Sequence, residues 1–322
     1  MLRRSIIASC TSLALLASAL TAAEAQTQTI RVIVPYGPGG APDTVARALA
    51  DHIARTHNVT IVVENRPGAG SLVATEAVAR MAGDGNTLLM TASAFLANPH
   101  MRNTKYDALK DFTPICNLVT TPAVLAVSDK SPYKSLEDLI EAAKSEPGKL
   151  SLGSPGPGSS LHLVFEGFKQ LTKVDMTYVP YQGTGPAVTA TLGGHVSAVL
   201  SDFGSLAPQL QSGDLRPLAT ATATGKRAAE LPDIQTFHEA GLPGIGLESW
   251  FGIVAPAKLP EGAAKRFIGW YQEALKSKEA TSKLVALRLT PTPICGDDHG
   301  QFLKTTSDAF GRIIKSANIQ MK

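Results

Sequence analysis

Short apolar runs alternate with amphipathic stretches along most of this chain. Ile30-Arg31-Val32-Ile33-Val34 is rich in β-branched residues and predicts a strand. After the turn Pro35–Pro42, residues Val45, Ala46, Leu49, Ala50 and Ile53 share one face of a helix that opens at Asp43. The alternation continues with strand Thr60–Glu64, turn Asn65–Ser71, helix Leu72–Met81 and strand Thr87–Thr91. Asp111–Ile115 leads into a strand at Ala123–Val127. Ser135–Ser145 then reads as a helix with Leu136, Leu139, Ile140 and Ala143 on one face, stopped by Pro147-Gly148. Three further units follow: strand Leu150–Ser154 with helix Leu161–Leu171, strand Met176–Tyr181 with helix Pro186–Leu192, and strand Val196–Ser201 with helix Leu206–Gln211. Leu215–Ala221 and Trp250–Ala255 read as strands, and Gly262–Lys276 and His299–Ser316 as long helices. This pattern places the chain in the α/β class, with parallel sheets covered by helices on both faces. Two separate runs of units, each with its own glycine-rich loop, divide it into two α/β lobes.

The N-terminus changes the picture by setting a compartment. Two arginines in Met1–Arg4 precede the apolar run Ile6–Leu20, and Ala23-Glu24-Ala25 fits an A-x-A cleavage pattern. The run is shorter than the roughly 20 residues a membrane span needs. Residues 1–25 are therefore expected to be a cleaved export signal, Gln26 the mature start, and the product a soluble periplasmic protein. A hydrophobic content of 44% with 18% charged residues describes a globular chain, and its length suits two domains. A net charge of +3, with no basic run longer than two residues, leaves no footprint for nucleic acid. Cys10 lies in the signal. For Cys116 and Cys295 two buried thiols is the favoured reading over a disulfide, since one widely separated pair makes no framework. The protein is expected to act as a monomer.

Candidate chemistry collects in loops that follow strands: Tyr36–Asp43, Ala92–Ala94, Ser154–Ser160, Gln182–Pro186 and Asp202–Ser205. Ligands of open α/β sheets sit beyond the carboxyl ends of the strands, so two facing lobes would line one cleft with these loops and close on a solute by hinge motion. A glycine-rich turn leading into a helix presents bare N–H groups beside the positive end of the helix dipole, a site for an anion. The candidate ligand-binding residues are Tyr36, Gly39, Gly40, Asp43, Ser93, Ser154, Gly158, Ser159, Ser160, Gly183, Thr184 and Asp202. Each has a plainer role to set beside binding. Gly39 and Gly40 permit positive φ. Asp43 suits a helix N-cap, and beside an anion it would orient the loop or a water rather than ligate. Of Ser159 and Ser160, one can cap the following helix while the other binds. Asp202 can cap the next helix, or meet an amine or hydroxyl. His162 reads as a packed or surface residue, and Trp250 as packing where the chain crosses between lobes. Gly39→Val and Ser159→Ala are each expected to weaken binding with the fold intact.

Enzyme signatures are missing. There is no G-x-S-x-G, H-E-x-x-H or C-x-x-C, and the near phosphate loop at Gly225-Lys226 fails at Arg227. The seven histidines show no metal-ligand spacing, and no cofactor is expected. A hydrolase built on Ser159 or Ser160 with His162 is the enzymatic alternative, weakened because neighbouring helix positions point apart. A sensor or adhesion partner using the same fold is the other alternative.

PYGPGGAPDTVAR at Pro35–Arg47 resembles the first signature of the Bug (TctC-like) solute receptors of tripartite tricarboxylate transporters. The resemblance continues through ENRPGAG at Glu64–Gly70, DG-x-TLLM at Asp84–Met90, KLSLGSPGPGSSLHL at Lys149–Leu163 and MTYVPYQGTGPAVTATLGG at Met176–Gly194. It implies a type II periplasmic-binding-protein fold, with two α/β lobes joined by two crossing strands around a ligand cleft. Residues 26–123 and 250–322 would form lobe 1 and residues 124–249 lobe 2. It also implies a small organic carboxylate held through backbone amides and bridging waters, then delivered to membrane permease subunits. Some positions depart from the family pattern. Ser71-Leu72 stands where Gly-Asn is usual, Ala92-Ser93-Ala94-Phe95 lacks the usual His, Gln182 replaces a lysine, and Phe203 an asparagine. The lost cation and gained aromatics shift the expectation to a monocarboxylate with an apolar or aromatic body, held without an ion pair.

Overall fold

The computed structural model describes residues 29–155, 159–181, 183–222, 224–243, 245 and 247–320. The expected signal at 1–25, the start at Gln26, and Gly158 and Gln182 lie outside the described residues. The strands fall into two sheets. In the first, β1 (Thr29–Val34), β2 (Thr60–Asn65) and β3 (Thr87–Thr91) run parallel, while β4 (Phe112–Thr121), β10 (Ser249–Pro256) and β11 (Thr290–Cys295) join antiparallel, in the order β11-β4-β10-β3-β1-β2. In the second, β6 (Ser151–Pro155), β7 (Thr177–Tyr181) and β8 (Ala198–Asp202) are parallel and β5 (Ala123–Ser128) and β9 (Leu215–Ala221) antiparallel, in the order β7-β6-β8-β5-β9. The sheets are thus mixed rather than parallel, because the strands that carry the chain between them pair against the local direction. Pro122 separates β4 in one sheet from β5 in the other, and β10 brings the chain back.

Helices α1 (Ala41–His57), α2 (Leu72–Ala79) and α3 (Ser93–Met101) alternate with the parallel strands of the first sheet, and α4 (Leu136–Ser145) follows β5. Helices α5 (Ser160–Thr172), α6 (Thr184–Leu192) and α7 (Phe203–Ser212) alternate with the strands of the second, and α8 (Glu261–Lys276), α9 (Lys278–Ala286) and α10 (Asp297–Ser316) complete the chain. On one face of the first sheet Val32, Val34, Leu49, Ile53, Phe267 and Leu284 form a buried cluster. On its other face Phe95, Leu303, Phe310 and Ile314 join Phe165, Phe168 and Leu200 from the second lobe in one continuous core. Each such side chain contributes about 2 kcal/mol by leaving water. The α10 pattern shows why the helix forms: Leu303, Ser307, Phe310 and Ile314 fall on one buried face, with Asp297 and Asp298 at the positive end of its dipole. Gly252 on β10 allows α10 to dock. A Cβ there would lie 3.1 Å from His299 Nε2, Thr91 Oγ1 and the Cys116 carbonyl.

Cys116 and Cys295 are bonded as a disulfide, which corrects the expectation of two thiols. They are 179 residues apart in sequence but directly opposite on β4 and β11. The expectation failed because β11, Thr-Pro-Thr-Pro-Ile-Cys, carries two prolines that argue against a strand. As the edge of its sheet, β11 tolerates them. Three further differences share a cause. α3 contains Pro99 and is buried on most sides, α9 is short and polar, and the second half of β4 is buried without alternation. None of these segments presents a clean two-faced pattern.

Candidate functional site

The loops at the carboxyl ends of β1, β3, β6, β7 and β8 meet in a cavity of about 920 Å³. Five helices begin on its wall: Gly40, Ala92, Ser159, Gly183 and Asp202, the N-cap residues of α1, α3, α5, α6 and α7, all line it. Only α5 is closed by a side-chain cap, with Ser159 Oγ accepting the His162 N–H at 3.3 Å. The first turns of α1, α3, α6 and α7 carry no side-chain cap. Each helix N-terminus favours a nearby negative charge by about 0.3–1 kcal/mol, and more when partly buried. The five ends together face the cavity with their positive poles. A second cavity of about 590 Å³, walled by Phe237, Ile245, Leu247 and Phe302, draws on none of these loops. Among the described residues no group of three His, Cys, Asp or Glu side chains could hold a metal ion.

Asp43 fixes the first loop. The helix opens at Ala41, so Asp43 lies inside its first turn and is not the cap. Its carboxylate accepts the Gly39 N–H at 2.9 Å, Asn65 Nδ2 at 2.8 Å and Arg47 Nε at 3.1 Å. Burial pushes its pKa up, but these bonds and the Arg47 charge outweigh it and hold the carboxyl below its ordinary value. Gly39, at φ +82°, therefore gives its N–H to Asp43 and does not line the cavity. A Gly39→Val variant would strain that backbone and so report on the loop rather than on a ligand contact. Asp43→Ala removes the carboxylate that gathers the Gly39 N–H, Asn65 and Arg47, leaving only the Arg47–Asn65 bond and the bond from Asn65 to the Tyr36 carbonyl. It is expected to lower stability by about 2 kcal/mol and to weaken ligand binding, read by denaturant unfolding and calorimetry.

Seven of the candidates do share the cavity wall: Tyr36, Gly40, Ser93, Ser159, Ser160, Gly183 and Asp202. Four do not. Gly39 and Asp43 brace the loop, Thr184 bonds Ser201 Oγ at 2.6 Å, and Ser154 is buried beside Tyr178. Burial pushes Tyr36 up to about 12, partly offset by the Ser71 hydroxyl, so its phenol stays neutral. His162 is packed: its ring stacks on Tyr178 with centroids 4.3 Å apart and lies 3.8 Å from Glu166, and burial lowers its pKa. Ser159 caps α5, and Ser160 bonds Ser249 at 3.1 Å.

The sequence reading missed Asn98 and Arg102, four residues apart along α3 and its end, and Ser249, Trp250 and Phe251 at the start of β10. The i, i+4 spacing of Asn98 and Arg102 was the available signal, hidden by Pro99 between them. Arg102 puts on the cavity wall a cation that the strand-end loops themselves lack. Phe95 and Phe203, invoked for an aromatic ligand, are both core residues and do not line the cavity.

Two mixed α/β sheets whose helices start on a shared cavity define a two-lobe solute-binding protein of the periplasmic type. The chain belongs to the tripartite tricarboxylate transporter family receptors, TctC, whose family pattern matches residues 45–319. It is similar to protein BugT of Bordetella pertussis, with 31% identity over 91% of this chain and 90% of that one. It is also similar to a solved R. palustris protein with adipate (30% identity, TM-score 0.78, covering 92% of this chain and 99% of that one). MatC of Rhodopseudomonas palustris with bound malate gives 29% identity and a TM-score of 0.73 over 90% of this chain and 99% of that one. Members of this family are periplasmic solute-binding receptors and not enzymes.

Proposed function

We propose that this protein captures a small dicarboxylate in the periplasm and presents it, as a monomer, to the permease subunits of a tripartite transporter. The convergence of five helix N-termini on one cavity carries this reading, since it suits an anionic group held by backbone N–H groups and water. Arg102 on the same wall suits a second carboxylate, and the monocarboxylate expectation loses its footing once Phe95 and Phe203 lie in the core. Relatives were solved with adipate and malate, acids of that class. We take 26–123 with 250–322 and 124–249 as the two lobes, and 1–25 as a signal removed on export.

A thermal-shift screen with mono-, di- and tricarboxylates and aromatic acids tests the reading. At a hundredfold excess over Kd a ligand adds about 2.7 kcal/mol, a readily measured rise in Tm. Dicarboxylates are expected to give that rise, and Arg102→Ala to weaken them by about tenfold or more. Stabilisation by aromatic monocarboxylates alone would contradict the dicarboxylate assignment.

A further inference from the structure

We propose that Asp202 takes up a proton when the cleft binds its acid, so that the ligand's carboxylate meets a neutral carboxyl group on the cavity wall. The inference rests on the receptor reading above. Asp202 ends β8 at the N-cap position of α7, yet its side chain does not cap that helix. The Ser249 hydroxyl acts on the Asp202 carboxyl, lowering its pKa, and the Ser249 and Ser160 hydroxyls are bonded at 3.1 Å. All three residues line the cavity, and they come from β8, β10 and α5. The Asp202 Oδ1 atom is shut off from solvent and has no hydrogen-bond partner.

Few ionisable side chains stand on the elements packed around this carboxylate. β5, α6, α7 and β10 carry no ionisable side chain, and β8 none besides Asp202. Tyr36 and Arg102 line the same cavity, Glu248 precedes Ser249, and exposed Arg288 lies beside Gly204 at the start of α7. His162 on α5 is packed against Tyr178. Among the described residues Asp202 forms no ion pair, and burial already raises its pKa, partly offset by Ser249. An incoming carboxylate adds a second negative charge to one enclosed space. Two such groups cannot both stay ionised without a large cost, so one proton from solvent is taken up on binding. The protonated carboxyl then donates O–H to a ligand oxygen, a charge-assisted bond stronger than a neutral one.

Calorimetric titration with adipate and malate, from about pH 5.5 to 8.5, tests this. Wild-type affinity is expected to fall by up to about tenfold per pH unit, and paired buffers of different ionisation heat should report uptake of about one proton. Asp202→Asn supplies a permanently neutral donor. Its affinity should be nearly flat with pH and exceed that of the wild type at the alkaline end. The buffer comparison uses the unaltered protein and stands whether or not the variant folds. Saturable binding with a flat pH profile and no proton uptake would overturn the proton-coupled proposal and leave the receptor reading in place. Loss of all binding in Asp202→Asn, with wild-type affinity rising with pH, would overturn it in favour of an ionised Asp202 gripping a cationic group. No binding of either acid by either form overturns the receptor reading and this proposal together.

Discussion

Breaking the Cys116–Cys295 bond is expected to lower the stability of this protein by about 4 kcal/mol. The bond ties β4 to the edge strand β11 and encloses a span of 179 residues that includes the whole of the second sheet. In the chain-entropy account, a loop that long restricts the unfolded chain heavily, so its opening favours unfolding. β11 is an edge strand: among the described strands it pairs only with β4, with an irregular register between Pro291 and Ile294, while α8, α9 and α10 pack against it. Denaturant unfolding of the oxidised protein against Cys116→Ser/Cys295→Ser measures the difference. Neither cysteine lines the cavity, so ligand affinity below the transition should be little changed. Equal stability of the two forms would show that β11 is held by its strand and helix contacts alone.

Acidification is expected to destabilise the fold well before its carboxylates are protonated, through His299. This residue is fully buried beneath β10, stacks on Phe302, and has no hydrogen-bond partner at either ring nitrogen. Burial pushes its pKa down to about 3, against about 6.5 in the unfolded chain. The sign follows from which state binds the proton. Above about pH 6.5 both states are neutral and nothing is lost, but between about 6.5 and 3 only the unfolded chain binds it. Each pH unit in that window costs about 1.4 kcal/mol, roughly 3 kcal/mol by pH 4. Asp43 adds to the loss at lower pH. Its folded pKa is depressed, so its contribution is present above the unfolded value and vanishes as pH falls through the folded one. Unfolding measured at pH 7 and about 4.5 should show a clear drop that His299→Leu largely removes. A parallel drop in the variant would assign the acid sensitivity to other groups.

Much of this architecture is written locally in the chain. Strands such as Ile30–Val34 and helices such as Ser135–Ser145 carry their own periodicity, and α4 even its capping box between Ser135 and Asp138. The five strand-end loops were legible for the same reason, since a strand followed by a helix dictates where the loop lies. What escaped was set by tertiary pairing. The Cys116–Cys295 bond depends on an edge strand that its prolines disguise, and Arg102 reaches the cavity only because α3 forms despite Pro99. Gly39 lies in the loop and Asp43 in the first turn of the helix that follows, and the hydrogen bond between them, which spacing does not reveal, turns two candidate ligand contacts into a brace. Phe95 and Phe203 misled in the opposite sense. Both adjoin site loops in sequence and turn into the core in space.

As proposed, this cavity recognises negative charge through converging helix N-termini. Calorimetric titration with adipate, set against its uncharged diamide of the same length, tests it most directly. Saturable one-to-one binding of the acid is expected, with the diamide weaker by about a hundredfold or more, since four uncapped N-termini and Arg102 lose the charge they face. Equal binding of acid and diamide, or binding of the diamide alone, would contradict it.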